Sequence, residues 1–184
     1  MSILEIIAAT MGVLSVWYAR KNNVLVFPTG IVSVLIYVYI TYSYQIYAEA
    51  GINIYYFLMS VYGWILWTSK NKKIKKRISK NNKRDNIIYL TLFVVLFFAL
   101  YLILNSTDSD VIFLDSITTA LSLTAMLLLA RRKLENWIYW IIADIIYIPL
   151  FIYKELYVTS FQYFIFLVLA ISGYKEWKKL LRND

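Results

Sequence analysis

The chain has no cysteine and no histidine. Those absences exclude disulfides, thiolate or imidazole metal sites, and a nucleophile activated by histidine. No glycine-rich nucleotide-binding loop is present, which excludes primary active, nucleotide-driven pumping by this chain alone. Charge is sparse too, at 16% of 184 residues. What remains is 61% hydrophobic and 18% aromatic, with a mean hydropathy of +0.62. Soluble domains lie near about 45–50% apolar, so this composition belongs to the membrane class.

Seven apolar stretches are long enough to cross about 30 Å of hydrocarbon. They cover residues 2–19, 24–43, 47–68, 87–105, 111–130, 134–153 and 157–177. The opening MSILEIIAAT has no basic region before its apolar run and no small-residue cleavage site, and reads as the first membrane helix. The net charge of +8 follows topology. Arg20 and Lys21 follow the first span, nine basic residues lie in SKNKKIKKRISKNNKR after the third, Arg131, Arg132 and Lys133 follow the fifth, and Lys175, Lys178, Lys179 and Arg182 come last. With Lys154 the exception, 18 of 19 basic residues fall on one side of a seven-span chain. Basic residues collect on the cytoplasmic side, so the N-terminus is expected outside and the C-terminus in the cytoplasm. The alternation also accounts for the charge at 70–84 without nucleic acid, and the expected surroundings are the lipid bilayer.

A shift of 110 residues lays residues 1–67 on 111–177 without a gap. Glu5 falls on Asp115, Ile36-Tyr37 on Ile146-Tyr147, and Gly63-Trp64-x-x-Trp67 on Gly173-Tyr174-x-x-Trp177. The register predicts a duplicated three-helix unit. A three-span unit enters on one side and leaves on the other, so a second copy in the same orientation needs one more span to bring the chain back. The expected fold is therefore all-α, with seven transmembrane helices as two parallel three-helix bundles joined by a linker helix, 3+1+3. Residues 1–68 form the first bundle, 69–110 the basic loop and linker, and 111–184 the second bundle and tail.

In the sixth span, ENWIYWIIAD sets Trp137, Trp140 and Asp144 within about 60° of one another on a helix. Asp144 lies near mid-span, where a carboxylate costs on the order of 3 kcal/mol. No lysine or arginine lies at that depth in any span. Either Asp144 is a neutral acid bonded to a hydroxyl, or its cation is the substrate. Trp137 reads as an interfacial belt residue or as one wall of an aromatic cage, whereas Trp140 is a turn deeper on the acid's face. The equivalent positions in the first half are Phe27, Gly30 and Val34, a smaller and apolar wall. Asn53 and Tyr56 in the third span, and Gln162 and Phe166 in the seventh, suit sugar hydroxyls or a ring amide, and equally suit helix–helix glue. Glu5 and Asp115 read as solvated or pairing residues near span ends. Pro28 starts or kinks the second span, and Pro149 is positioned to kink the sixth.

At these residues the chain resembles the PnuC-type bacterial vitamin transporters. The resemblance covers nearly the whole chain, with Trp137-x-x-Trp140-x-x-x-Asp144 its most specific piece. NIYYFLMSVYGW in span three and QYFIFLVLAISGY in span seven support it. It implies a SWEET-like 3+1+3 fold in the cytoplasmic (inner) membrane and facilitated diffusion of an unphosphorylated vitamin, trapped afterwards by a cytoplasmic kinase. It implies no cofactor and no metal, and suggests a homotrimer. Where members carry glutamine in span three this chain has Asn53, shorter by a methylene. Nicotinamide riboside is the favoured substrate and thiamine the alternative, both flat monocations. An intramembrane aspartyl protease would need a second deep aspartate, and a substrate-binding subunit of a larger machine would need more docking surface than these short loops offer.

Overall fold

The computed structural model describes residues 3–71, 76–105 and 111–183. Seven helices account for nearly all of them: α1 (Ile3–Arg20), α2 (Val26–Ser43), α3 (Tyr47–Thr68), α4 (Lys83–Leu104), α5 (Ile112–Ala130), α6 (Asn136–Tyr153) and α7 (Tyr157–Asn183). Most ends fall within two residues of the expected spans. Two do not. α4 starts four residues early because Asn82 and Asp85 form a capping box, each side chain accepting from the other's backbone N–H. α7 runs on through its lysines to Asn183, a polar extension of the last span.

Six of these helices, α3 excepted, are long and apolar enough to cross a membrane. Tyrosines, tryptophans and Glu49 lower the hydropathy of α3. It is nonetheless 22 residues long, about 33 Å, and three residues join it to α2, against which it packs. Its neighbours on the other side come from α5, so less of its surface has to be apolar. Large apolar side chains such as Ile6, Leu35, Leu58, Leu90, Val95 and Phe161 stand exposed along the outer faces. That is the reverse of a soluble protein and suits a lipid surround.

Helices α1 to α3 pack in sequence, α5 to α7 do the same, and α4 packs on α5. The two sets meet through α1 with α7 and α3 with α5. Those two contacts are one contact seen twice, because a shift of 110 residues turns α1 into α5 and α3 into α7. The local geometry keeps the same offset. Left-handed residues close the first turn of each set at Asn22 (φ 53°) and Arg132 (φ 54°), and the second at Gln45 (φ 61°) and Glu155 (φ 58°). The backbone bonds repeat with them: Asn23 N to Tyr18 O and Lys133 N to Leu128 O, then Ile46 N to Thr41 O and Leu156 N to Phe151 O.

α5 is the most buried helix, with twelve buried residues. It has neighbours in α3, α4 and α6, and its small side chains permit the close approach. Ser116, Thr118 and Thr124 return their hydroxyls to the carbonyls of Ile112, Leu114 and Ala120 at 2.7, 2.7 and 2.8 Å, so burial leaves no donor stranded. Pro28 is the third residue of α2, where a missing N–H has no intrahelical partner to lose. Pro149 lies inside α6, which runs unbroken from Asn136 to Tyr153.

Candidate functional site

A cavity of about 780 Å³ occupies the seam between the two sets. It runs nearly the length of the helices. Glu49, Asp115 and Lys154 line one end, and Phe27 and Trp137 line the other, where most of the basic residues are. All seven residues singled out in the sequence line it: Trp137, Trp140 and Asp144 from α6, Asn53 and Tyr56 from α3, and Gln162 and Phe166 from α7. Equivalent faces of α2 and α6 oppose one another across it, since Phe27, Gly30, Val34 and Tyr37 also line it and correspond to Trp137, Trp140, Asp144 and Tyr147.

Asp144 is 2% exposed and has no hydrogen-bond or ion-pair partner among the described residues. It neither faces lipid nor binds a lysine. The ion pair elsewhere in the cavity is Lys154 with Asp115, at 2.7 and 3.0 Å, near the end opposite the basic residues. Charged lining residues are therefore three acids, Glu49, Asp115 and Asp144, against one base already paired. The cavity is net acidic.

The aromatic wall is larger than two indoles. Tyr163 stacks on Phe151 (centroids 5.1 Å apart), lies 4.5 Å from Tyr147, and meets Phe166 edge-on at 5.6 Å. Trp140, Asp144, Tyr147 and Phe151 continue a single stripe down α6, and Tyr163 and Phe166 face it from α7. The pattern that would have found Tyr147 and Phe151 is the same i, i+3, i+7 spacing carried on two more turns.

Trp137 does something different from Trp140. It is 1% exposed and packs edge-on against Trp177 at 5.5 Å. A methyl group at Gly173 would sit 2.7 Å from its ring atoms, so the glycine is what admits the indole. Gly63 admits Phe27 in the same way in the other half. Trp67 packs edge-on to Phe27 at 4.9 Å and lies 6.0 Å from Trp177. These four rings close the basic end of the cavity. Two cross-half bonds hold them: Trp67 Nε1 donates to Ala130 O at 3.1 Å, and Trp177 Nε1 to Ala19 O at 2.9 Å. The buried Nε1 of Trp137 has no acceptor among the described residues. Arg132 lies 3.9 Å over the Trp67 ring, and burial pushes its guanidinium down to about 10, still charged at neutral pH.

Asn53 spends one amide hydrogen on its own helix, donating to Glu49 O at 2.9 Å, which leaves its oxygen and second hydrogen for the cavity. Tyr55 ties the halves at mid-depth, its hydroxyl donating to Leu123 O at 2.9 Å.

The profile of the nicotinamide mononucleotide transporter family matches residues 2–179, nearly the whole chain. The protein belongs to that family. It is similar to the nicotinamide riboside transporter PnuC of Escherichia coli (strain K12), 26% identical over 96% of this chain and 85% of that one. It is also similar to the protein of that name from Haemophilus influenzae, 24% identical over 98% and 81% of the two chains. Among solved structures, a crystal structure of the vitamin B3 transporter PnuC matches 98% of this chain and 82% of its own, with a TM-score of 0.77 at 24% identity, which establishes the fold. The chain is thus a multi-pass membrane protein of a transporter family.

Proposed function

We propose that the protein carries nicotinamide riboside across the bacterial cytoplasmic membrane by facilitated diffusion. The single observation behind this is the unpartnered Asp144 in an aromatic-walled, net acidic cavity. A flat pyridinium supplies the missing cation, with Trp140 and the Tyr147–Tyr163–Phe166 wall stacking on or beside its ring. Asn53 Oδ1, Tyr56 and Gln162 are assigned to the ribose hydroxyls and the ring amide, where each polar group gains a partner on binding.

The same charge count argues for the unphosphorylated vitamin over its mononucleotide. A phosphate would meet three carboxylates and one lysine already held by Asp115, and burying that repulsion is unfavourable. Trapping by a cytoplasmic kinase then makes uptake net. We orient the protein with the basic end of the bundle in the cytoplasm, following its lysines and arginines. The four rings are then an inner gate, and the cavity is closed to the cytoplasm in the present conformation. The two units that move are residues 1–68 and 111–184, with 69–110 between them, and we expect them to assemble as a homotrimer, which native mass spectrometry of the purified protein will count.

The test is binding to the purified protein, comparing nicotinamide riboside, nicotinamide mononucleotide and thiamine. Tight binding of the riboside with weak binding of the mononucleotide is expected, and tighter binding of thiamine than of the riboside would make thiamine the substrate. Equal or tighter binding of the mononucleotide would overturn the reading.

A further inference from the structure

A second cavity, of about 310 Å³, is lined by Tyr62, Lys76, Ser79, Asp85, Tyr89, Arg131 and Lys133. It shares no lining residue with the large one and lies at the basic end of the bundle. Its charge is of the opposite sign. Lys133 Nζ lies 2.8 Å from Asp85 Oδ2, and the two neutralise each other. Arg131, which also lies within electrostatic reach of Asp85, and Lys76 remain, neither in an ion pair among the described residues, so the lining has two more cations than anions. Arg131 Nη1 rests instead on a neutral oxygen, donating to Tyr89 Oη at 3.3 Å. The hydroxyls of Tyr62, Tyr89 and Ser79 complete a wall rich in donors.

The walls are held in place. Ser79 N donates to Arg132 O at 3.0 Å, and Leu134 N to Ser79 O at 2.9 Å, so the α3–α4 connection pairs with the α5–α6 turn. Arg132 Nη1 donates to Lys76 O at 2.8 Å, and Lys76 N to Leu66 O at 3.0 Å. Asn81 N donates to Glu135 Oε2 at 3.0 Å. Two uncompensated cations and three hydroxyls around a preformed space match an anion with several oxygen acceptors. A carrier of cations has no use for such a pocket in its transport path.

We propose that this pocket binds a phosphate-bearing anion at the cytoplasmic end of the protein. The phosphate belongs to an acidic phospholipid headgroup or to a soluble phosphate ester. Its ligands come from α3, the α3–α4 connection, α4 and the α5–α6 turn. A bound phosphate therefore bridges both halves and the linker, and it holds them in their present relation. That slowing effect on transport rests on the proposed function; the binding does not.

The experiment titrates the purified full chain in phosphatidylcholine nanodiscs with inorganic phosphate. In parallel, native mass spectrometry measures retention of phosphatidylglycerol from discs that contain it. Arg131→Gln with Lys76→Gln is expected to lower affinity at least about tenfold. Lys178→Gln with Lys179→Gln, on the polar extension of α7, is expected to leave it unchanged. Lys76 uses only its backbone in the bonds above, so Lys76→Gln alone keeps the test valid if the Arg131 variant does not fold. Phosphatidylglycerol retention without phosphate binding names the headgroup, and phosphate binding in neutral discs names the soluble ester. Binding of neither overturns the proposal. So does an unchanged affinity in Lys76→Gln, or an equal loss in the α7 variant. Anion binding by a protein that carries no riboside would sink the proposed function and leave this inference standing.

Discussion

Asp144 is where charge and shape separate most cleanly. Asparagine keeps its outline and removes its charge, so Asp144→Asn should weaken riboside binding by about tenfold or more. Trp140→Phe retains a ring with a weaker quadrupole, and its loss should stay within about fivefold. Calorimetry on the two purified variants checks the order, and an Asp144→Asn protein that binds like its parent removes the acid from recognition. Much of this face was legible in the sequence, because lipid contact gives a membrane helix no use for an acid four residues from an indole. Tyr147 and Phe151 were not, since single aromatics in apolar helices look like lipid or core contacts until Tyr163 and Phe166 face them from α7. Trp137 was legible only as a choice between belt and cage. Its packing is set by Gly173 and Trp177, which share the cavity's end only once α6 and α7 are side by side.

At the scale of elements, Gly63 and Gly173 set how closely α2 packs on α3 and α6 on α7. Gly173→Ala should destabilise the protein by about 1–3 kcal/mol through overpacking against an indole with nowhere to move, read as a lower melting temperature in detergent. The tight turns carry a second expectation. Glu155 holds φ 58°, a conformation that disfavours side chains with a Cβ by about 1–2 kcal/mol. After the backbone entropy that glycine adds to the unfolded chain, Glu155→Gly should raise stability by about 0.5–1 kcal/mol. Helix extents were legible because apolar runs end where charges begin. The early start of α4 was hidden, because Asn82 and Asp85 are polar residues whose capping role depends on each other. The membrane character of α3 is harder to read from hydropathy, as its tyrosines and tryptophans score low whether buried, as Trp67 is, or exposed, as Tyr47 and Trp64 are.

At the scale of the molecule, the 110-residue register carried the architecture. The two contacts between the halves, α1 with α7 and α3 with α5, exchange under that register. The same register placed the acid, Asp144, opposite Val34 and the indole, Trp140, opposite Gly30; what it could not supply is the cavity that separates the two faces. A carrier acting by the proposed facilitated diffusion moves its substrate down that substrate's own gradient and needs no ion gradient. Riboside uptake into liposomes should therefore persist when proton and sodium gradients are collapsed, and a strict requirement for either would defeat the facilitator reading.

The bonds from Trp67 to Ala130 and from Trp177 to Ala19 stand on opposite sides of the axis that exchanges the halves. Opening the proposed inner gate breaks both, so each bond acts as a latch on the closed passage. Trp67→Phe unfastens one side, and its predicted mark is a steady current through membranes that the parent protein leaves silent.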